Sequence, residues 1–291
     1  MIRVSDEVRE ADAVVALETT IVAHGFPAGE GLAVGLECER RVRDAGAVPA
    51  TIGVLDGEIV VGLSEAELER FDSSARKAGP RELAACVASR QVGATTVGGT
   101  LAVCRLAGIR FMGTGGIGGV HRGARWDVSA DLLELSRSRV LVVSAGVKSL
   151  LDVEATAEFL ETLSVPVLGW HADTIPRFYD AEGGPPVTER VDTPEEVISL
   201  CNLHWEVGGC GIVLGRPPDE SLDVDDLIED ALSEAERNGV TGQAVTPFVL
   251  SQLHERSGGR TLVANRSLAA ANANLAAELS VSAAGSAASG G

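Results

Sequence analysis

RVLVVSAGVKS, residues Arg139 to Ser149, opens on the apolar run Val140-Leu141-Val142-Val143. A short aliphatic run of this kind reads as a strand buried on both faces. It ends in Ser144-Ala145-Gly146 and places Val147-Lys148-Ser149 ahead of a helical pattern. Strand followed by helix is the repeating unit of an open α/β sheet, whose ligands collect at the carboxyl ends of the strands. Lys148 is therefore expected at the mouth of the sheet, on an apolar floor. Of the 24 basic residues only Lys77 and Lys148 are lysine, and the rest are arginine. Arginine does not give up its proton, whereas a desolvated lysine can and then acts as a nucleophilic amine.

The same alternation extends to both sides of this stretch. Upstream, residues 13–20 read as a buried strand ending in Glu18-Thr19-Thr20, and a helix follows to about residue 45. Residues 49–55 and 58–63 flank Asp56-Gly57, a hairpin signal. Ser64 and Glu67 have the spacing of a capping box, and Pro80 suits the first position of a helix running toward Arg90. Short strands at 94–97 and 109–112 bracket a helix at 101–107. Downstream come a helix near 152–163, a strand at 165–169, a helix starting at Thr193-Pro194-Glu195-Glu196 and a strand at 211–215. Helical patterns at 223–238, 246–256 and 262–279 close the chain. The expected architecture is a three-layer α/β/α single domain with a mostly parallel central sheet and a helical C-terminal part. Residues 1–12 read as a polar lead-in, 13–279 as the domain, and the Ala/Ser/Gly-rich residues 280–291 as a disordered tail.

Composition narrows the function. The chain is 45% hydrophobic but only 3% aromatic, so its core is aliphatic. A net charge of -18 argues against a nucleic-acid partner, which wants a basic face. Five cysteines without a C-x-x-C pair point to a reducing, cytoplasmic setting and away from a disulfide or zinc framework. No apolar run reaches membrane-spanning length, so no membrane partner is expected.

Three local constellations each have two readings. Gly113-Thr114-Gly115-Gly116-Ile117-Gly118-Gly119 matches G-x-G-x-x-G in form, but no acid closes the next strand to hold a ribose, so a nicotinamide site is disfavoured. A ligand loop and a tight structural turn fit the run equally well. Ser129 and Asp131 suit the cap and first turn of a helix, while Asp127 is left over. Such a lone carboxylate suits a hydrated Mg²⁺ or Mn²⁺. Glu18, behind Ala13-Val14-Val15-Ala16-Leu17, is placed for general acid work, and a salt bridge to an arginine explains it as well. The five histidines lack metal-ligand spacing, His121 beside the glycine run being the one of interest. No G-x-S-x-G elbow supports a serine hydrolase.

Seven stretches in order resemble the pseudouridine-5′-phosphate glycosidase family. They are residues 16–25 (ALETTIVAHG), 93–97 (GATTV), 114–123 (TGGIGGVHRG), 127–132 (DVSADL), 144–149 (SAGVKS), 190–196 (RVDTPEE) and 245–248 (VTPF). The resemblance implies reversible conversion of pseudouridine 5′-phosphate and water to uracil and ribose 5-phosphate. It implies Lys148 as the nucleophile that forms an imine with C1′ of the ring-opened sugar, and Glu18 as proton donor. It further implies Asp127 as ligand of one divalent metal ion per subunit, Mn²⁺ by family habit. Lys77, Val97, Ser129, Ala130, Asp131 and Asn272 fall on substrate-binding positions, and a homotrimer is implied. The segment between Gly123 and Asp127 is two residues shorter than is usual in the family.

The chemistry asks for these groups independently. The bond to be cut joins two carbons, and an iminium at C1′ is an electron sink that lets it break. Ring opening and protonation of uracil C5 need an acid. A charged lysine suits a 5′-phosphate. Two other readings use the same residues: a Schiff-base lyase or aldolase acting on another sugar phosphate, and a non-catalytic sugar-phosphate sensor.

Overall fold

The structure, a computed structural model, describes residues 1–123, 126–240 and 245–289. Its strands are β1 (Ile2–Val4), β2 (Val14–Glu18), β3 (Val48–Leu55), β4 (Glu58–Val61), β5 (Arg76–Ala78), β6 (Gly93–Thr95), β7 (Phe111–Gly113), β8 (Val120–His121), β9 (Leu141–Ser144), β10 (Leu151–Asp152), β11 (Val167–Trp170), β12 (Glu189–Val191) and β13 (Ile212–Gly215). Its helices are α1 (Asp6–Glu10), α2 (Thr20–His24), α3 (Gly31–Asp44), α4 (Glu65–Leu68), α5 (Leu83–Ser89), α6 (Val97–Ala107), α7 (Ala130–Leu135), α8 (Val153–Thr162), α9 (Pro194–Glu206), α10 (Asp225–Arg237), α11 (Val245–Arg256) and α12 (Arg260–Ser289).

Eleven strands form one sheet whose main path runs β1-β4-β3-β2-β7-β9-β13-β11-β12, with β6 joined to β3 and β5. Only β3 with β4 and β3 with β6 pair antiparallel; the other pairs of this sheet are parallel. The expected three-layer α/β/α domain is what forms. Successive side chains of a strand point to opposite faces. Ala16, Met112, Val142 and Val213 therefore join one core with α6, α7, α8 and α10. Their neighbours Val15, Leu17, Phe111, Leu141, Val143, Ile212 and Leu214 join a second core with α3, α9 and the apolar positions of α12. This double burial explains why RVLVVS reads as continuous and not alternating.

Topology fixes where the site falls. From β2 the chain first lays strands on one side, β3 and then β4, and later crosses to the other side with β7. The strand order thus reverses between β2 and β7, and a crevice opens beyond the carboxyl ends of such a pair. Glu18 ends β2, Gly113 ends β7 and Ser144 ends β9, all at the same edge.

Local signals place the elements well. Asp56 and Gly57 turn between β3 and β4 with φ of 53° and 85°. Both capping boxes form, Ser64 with Glu67 and Thr193 with Glu196. Three expectations need correction. Ile2-Arg3-Val4 is no mere lead-in: it adds an edge strand parallel to β4, and Val8 behind it is buried. The helix expected from Pro80 begins at Leu83, because residues 79–82 first make a turn in which the Glu82 amide donates to the Gly79 carbonyl. In place of a disordered tail from residue 280, α12 continues to Ser289. Ser280 is buried and its hydroxyl donates to the Val14 carbonyl, and the alanines beyond it favour helix. Among the described residues no helix is long and apolar enough to cross a membrane.

Candidate active site

Glu18 is 4% exposed, yet both its carboxylate oxygens are satisfied without any arginine. The Thr114 hydroxyl donates to Oε1 at 2.5 Å, and the Thr20 hydroxyl donates to Oε2. Thr114 follows β7, so the two sides of the switch crevice are joined through this carboxylate. Asn272 of α12 lies fully buried behind it and donates from Nδ2 to the Thr114 carbonyl at 2.8 Å and the Gly115 carbonyl at 3.3 Å. The ends of β2 and β6 are locked onto the middle of β3 by Thr19 and Thr95, whose hydroxyls both donate to the Ile52 carbonyl. Two hydroxyl donors fix the orientation of this carboxyl at the wall of the crevice.

Lys148 is half-buried and sits on a loop stitched to the glycine run. Its amide donates to the Ile117 carbonyl at 3.1 Å, and the Ile117 amide donates to the Gly146 carbonyl at 3.0 Å. Arg122 braces the far side, donating to the carbonyls of Ser149 and Leu151. The turn itself depends on Gly146, which has φ of 78°. A Cβ at that position would lie 1.9 Å from the Pro176 carbonyl oxygen.

Asp131 is committed in the same fashion. Its Oδ1 accepts from the Gly98 amide at 2.7 Å and its Oδ2 from the Gly118 amide at 2.9 Å. It thereby ties the start of α6 to the glycine run, while Ser129 caps α7 by accepting from the Asp131 amide. Lys77 stands between these groups. Burial lowers its ammonium below the ordinary lysine value, the Lys148 charge lowers it further, and Asp131 and Glu18 oppose both. Burial also lowers the His121 imidazole, against the pull of Asp127. His24 is lowered by burial as well, and its Nε2 lies 3.0 Å from the Ala75 carbonyl oxygen.

These elements enclose a cleft of about 760 Å³. Glu18, Lys77, Val97, Asp127, Ser129, Ala130, Asp131 and Lys148, all singled out from the sequence, line it together with His121. Asn272 does not line it; it supports the floor through the backbone of residues 114–115, while Asn265, two turns earlier on the same face of α12, does reach the cleft. Phe178 and Leu250 also line it and carry no signal in the sequence, since each is far along the chain from the strand ends it meets. The contents are an amine, a buried carboxyl and a second cation, a set suited to imine chemistry on an anionic sugar.

The expected Mn²⁺ on Asp127 is corrected. Among the described residues no three His, Cys, Asp or Glu side chains stand together so as to hold an ion. The reason is local: the oxygens of Glu18 and Asp131 are taken by hydroxyl and amide donors, and two lysines share the cleft. Asp127 is left with His121 beside it.

A family model described as "Indigoidine synthase A like protein" matches residues 3–282. A curated relative from Kosmotoga olearia, named pseudouridine-5′-phosphate glycosidase, is 43% identical over 276 residues, spanning 92% of this chain and 96% of the relative. The solved structure of an indigoidine synthase A-like protein from Thermotoga maritima superposes with a TM-score of 0.89 at 39% identity, covering 98% of this chain and 97% of that one. That of the prealnumycin C-glycosynthase AlnA in complex with ribulose 5-phosphate gives 0.89 at 38% identity, covering 99% of each.

Proposed function

The chain belongs to the pseudouridine-5′-phosphate glycosidase family, and we propose that it cleaves the C–C glycosidic bond of pseudouridine 5′-phosphate. The products are uracil and ribose 5-phosphate, and the reaction is reversible. The observation that carries this reading is the meeting, in one cleft, of the chain's two lysines and a buried strand-end carboxyl. Membership of an enzyme family speaks against a silent sensor. The likeness to a protein solved with ribulose 5-phosphate supports a pentose phosphate as the sugar half.

The proposed sequence uses only groups of the chain. Glu18 delivers a proton to the ring oxygen as the C1′–O4′ bond opens. The Lys148 amine then adds to C1′, and the proton its nitrogen loses returns to Glu18. Glu18 passes that proton to uracil C5 as the C1′–C5 bond breaks with its electron pair left on uracil, and the lysine nitrogen lone pair moves in to form the iminium. Water adds to that iminium, and expulsion of the amine returns Lys148 and leaves the aldehyde of ribose 5-phosphate. Lys77 holds the phosphate as a point charge. We place the activity in the cytoplasm, where the five free cysteines stay reduced, and in the homotrimer that family resemblance implies.

The test is uracil release from pseudouridine 5′-phosphate, followed chromatographically. Stoichiometric uracil and ribose 5-phosphate are expected. Cleavage of other sugar phosphates without uracil release would transfer the assignment to a Schiff-base lyase.

The lowered Lys77 ammonium has a signed consequence. A cation is present below its pKa and lost above it, so ribose 5-phosphate affinity is expected to fall as pH rises, already below the ordinary lysine value of 10.5. Lys77→Arg removes this fall because guanidinium stays charged, and Lys77→Ala weakens binding by about tenfold or more. Calorimetric titration across alkaline pH checks both; an unchanged affinity in Lys77→Ala would take Lys77 out of the site.

A further inference from the structure

Glu82 stands just ahead of α5, where a side-chain oxygen ordinarily accepts from the first amides of the helix, yet it makes no such bond. Its side chain is 11% exposed and turns instead toward the cleft that it helps to line. Oε1 accepts from Arg81 Nε at 2.7 Å. Arg81 is the reverse case: its side chain is 85% exposed, and it is the one arginine among the described residues that lines the cleft. The pair engages Nε alone. Neither Nη meets an acceptor among the described residues, so the guanidinium is gripped at its root and presents both terminal nitrogens. An ion pair to so exposed an arginine adds little to stability. Maintenance of the fold therefore does not account for a buried carboxylate that holds this arginine at the rim.

The backbone lays the pair over the phosphate end of the cleft. Lys77 lies four residues before Arg81, on β5, and the next carbonyl, that of Ala78, accepts from the Thr96 amide at 3.1 Å. The turn 79–82 thus runs across the start of α6. A Cβ on Gly79 would stand 3.0 Å from Glu82 Oε2 and 3.9 Å from Thr96 Oγ1, which puts the Glu82 carboxyl beside the residue that caps α6. Lys77, Arg81, Thr96 and Val97 all line the cleft. A half-buried lysine, the positive end of an eleven-residue helix and an open guanidinium fork are thereby grouped in one region. The chain's net charge of -18 repels an anion from most of its surface, so a cation at the mouth carries weight.

We infer that Arg81, anchored by Glu82, is a second phosphate-binding residue: its terminal nitrogens take two oxygens of the substrate's 5′-phosphate at the mouth of the cleft, while Lys77 holds the group from within. This deepens the proposed function and rests on it for the identity of the sugar phosphate. A planar fork matches two phosphate oxygens at once, where an ammonium acts as a point charge. Anchoring by Glu82 lowers the ordering cost that a free surface arginine would meet on binding. Arg81 touches the phosphate alone, so its contribution is to binding and not to bond cleavage.

Calorimetric titration with ribose 5-phosphate tests it. Arg81→Ala is expected to raise the Kd about tenfold or more, and Arg81→Glu to raise it further. Arg76→Ala is the control for overall charge. It removes a cation one residue before Lys77, from an exposed side chain that bonds to Gln91 and does not line the cleft. Its Kd should stay within about twofold of the wild type. Unphosphorylated ribose gives a second readout: its trapping on Lys148 by borohydride should differ by less than about twofold between Arg81→Ala and the wild type. The inference is wrong if Arg81→Ala binds ribose 5-phosphate as the wild type does, if Arg76→Ala loses as much, or if ribose trapping falls in step. A wild-type protein that binds ribose 5-phosphate but releases no uracil is a different failure, which removes the proposed function and leaves the phosphate site standing.

Discussion

The Lys148→Arg variant is expected to bind ribose 5-phosphate within several-fold of the wild type and to release uracil slower by about a thousandfold or more. The substitution keeps the positive charge, the length and most of the packing of a half-buried side chain. It removes the one property the mechanism needs, an amine that can become neutral and attack carbon. Charge-only roles predict the opposite. If Lys148 merely neutralised the phosphate, arginine would serve, and turnover near the wild-type rate would rule out the imine. Chromatographic uracil release in single turnover separates the two outcomes.

Gly146→Ala is expected to damage both stability and activity. An alanine there must adopt a φ near 78° and place its methyl 1.9 Å from the Pro176 carbonyl oxygen. Left-handed backbone costs about 1–2 kcal/mol for a residue with a Cβ. Overpacking against backbone adds about 1–3 kcal/mol, since no flexible side chain can give way. A loss on the order of 2–5 kcal/mol should appear as a lower urea midpoint with an unchanged slope. The relief available to the chain is to move the segment 145–148 or the 176–178 loop, and both carry cleft-lining residues. Activity should therefore fall even where the variant is still folded. A variant with wild-type midpoint and rate would show that the loop tolerates what its geometry forbids.

Much of the fold is legible in the sequence because its signals are local. The hairpin at Asp56-Gly57 and the boxes at Ser64 and Thr193 need only neighbouring residues. The aliphatic run 140–143 announces burial on both faces, and parallel topology then puts Lys148 at the site. What is not legible depends on contacts made at a distance. Residues 2–4 look polar and short until β4 offers them an edge. Residues 280–289 look coreless until Ser280 meets β2. Asp127 looks like the start of a metal site until Glu18 and Asp131 are seen to be occupied by Thr20, Thr114, Gly98 and Gly118. Phe178 has no periodicity to betray it; only the packed loop brings it to Gly116 and the cleft. The two lysines are the exception, conspicuous by composition alone and found in the same cleft.

The central claim is that Lys148 captures the sugar as an imine. Incubation of the protein with ribose 5-phosphate and borohydride, followed by peptide mass mapping, tests it directly. One reduced pentose phosphate is expected on the peptide carrying Lys148, and none in Lys148→Arg. An adduct confined to Lys77, or no adduct in a preparation that releases uracil, would contradict it.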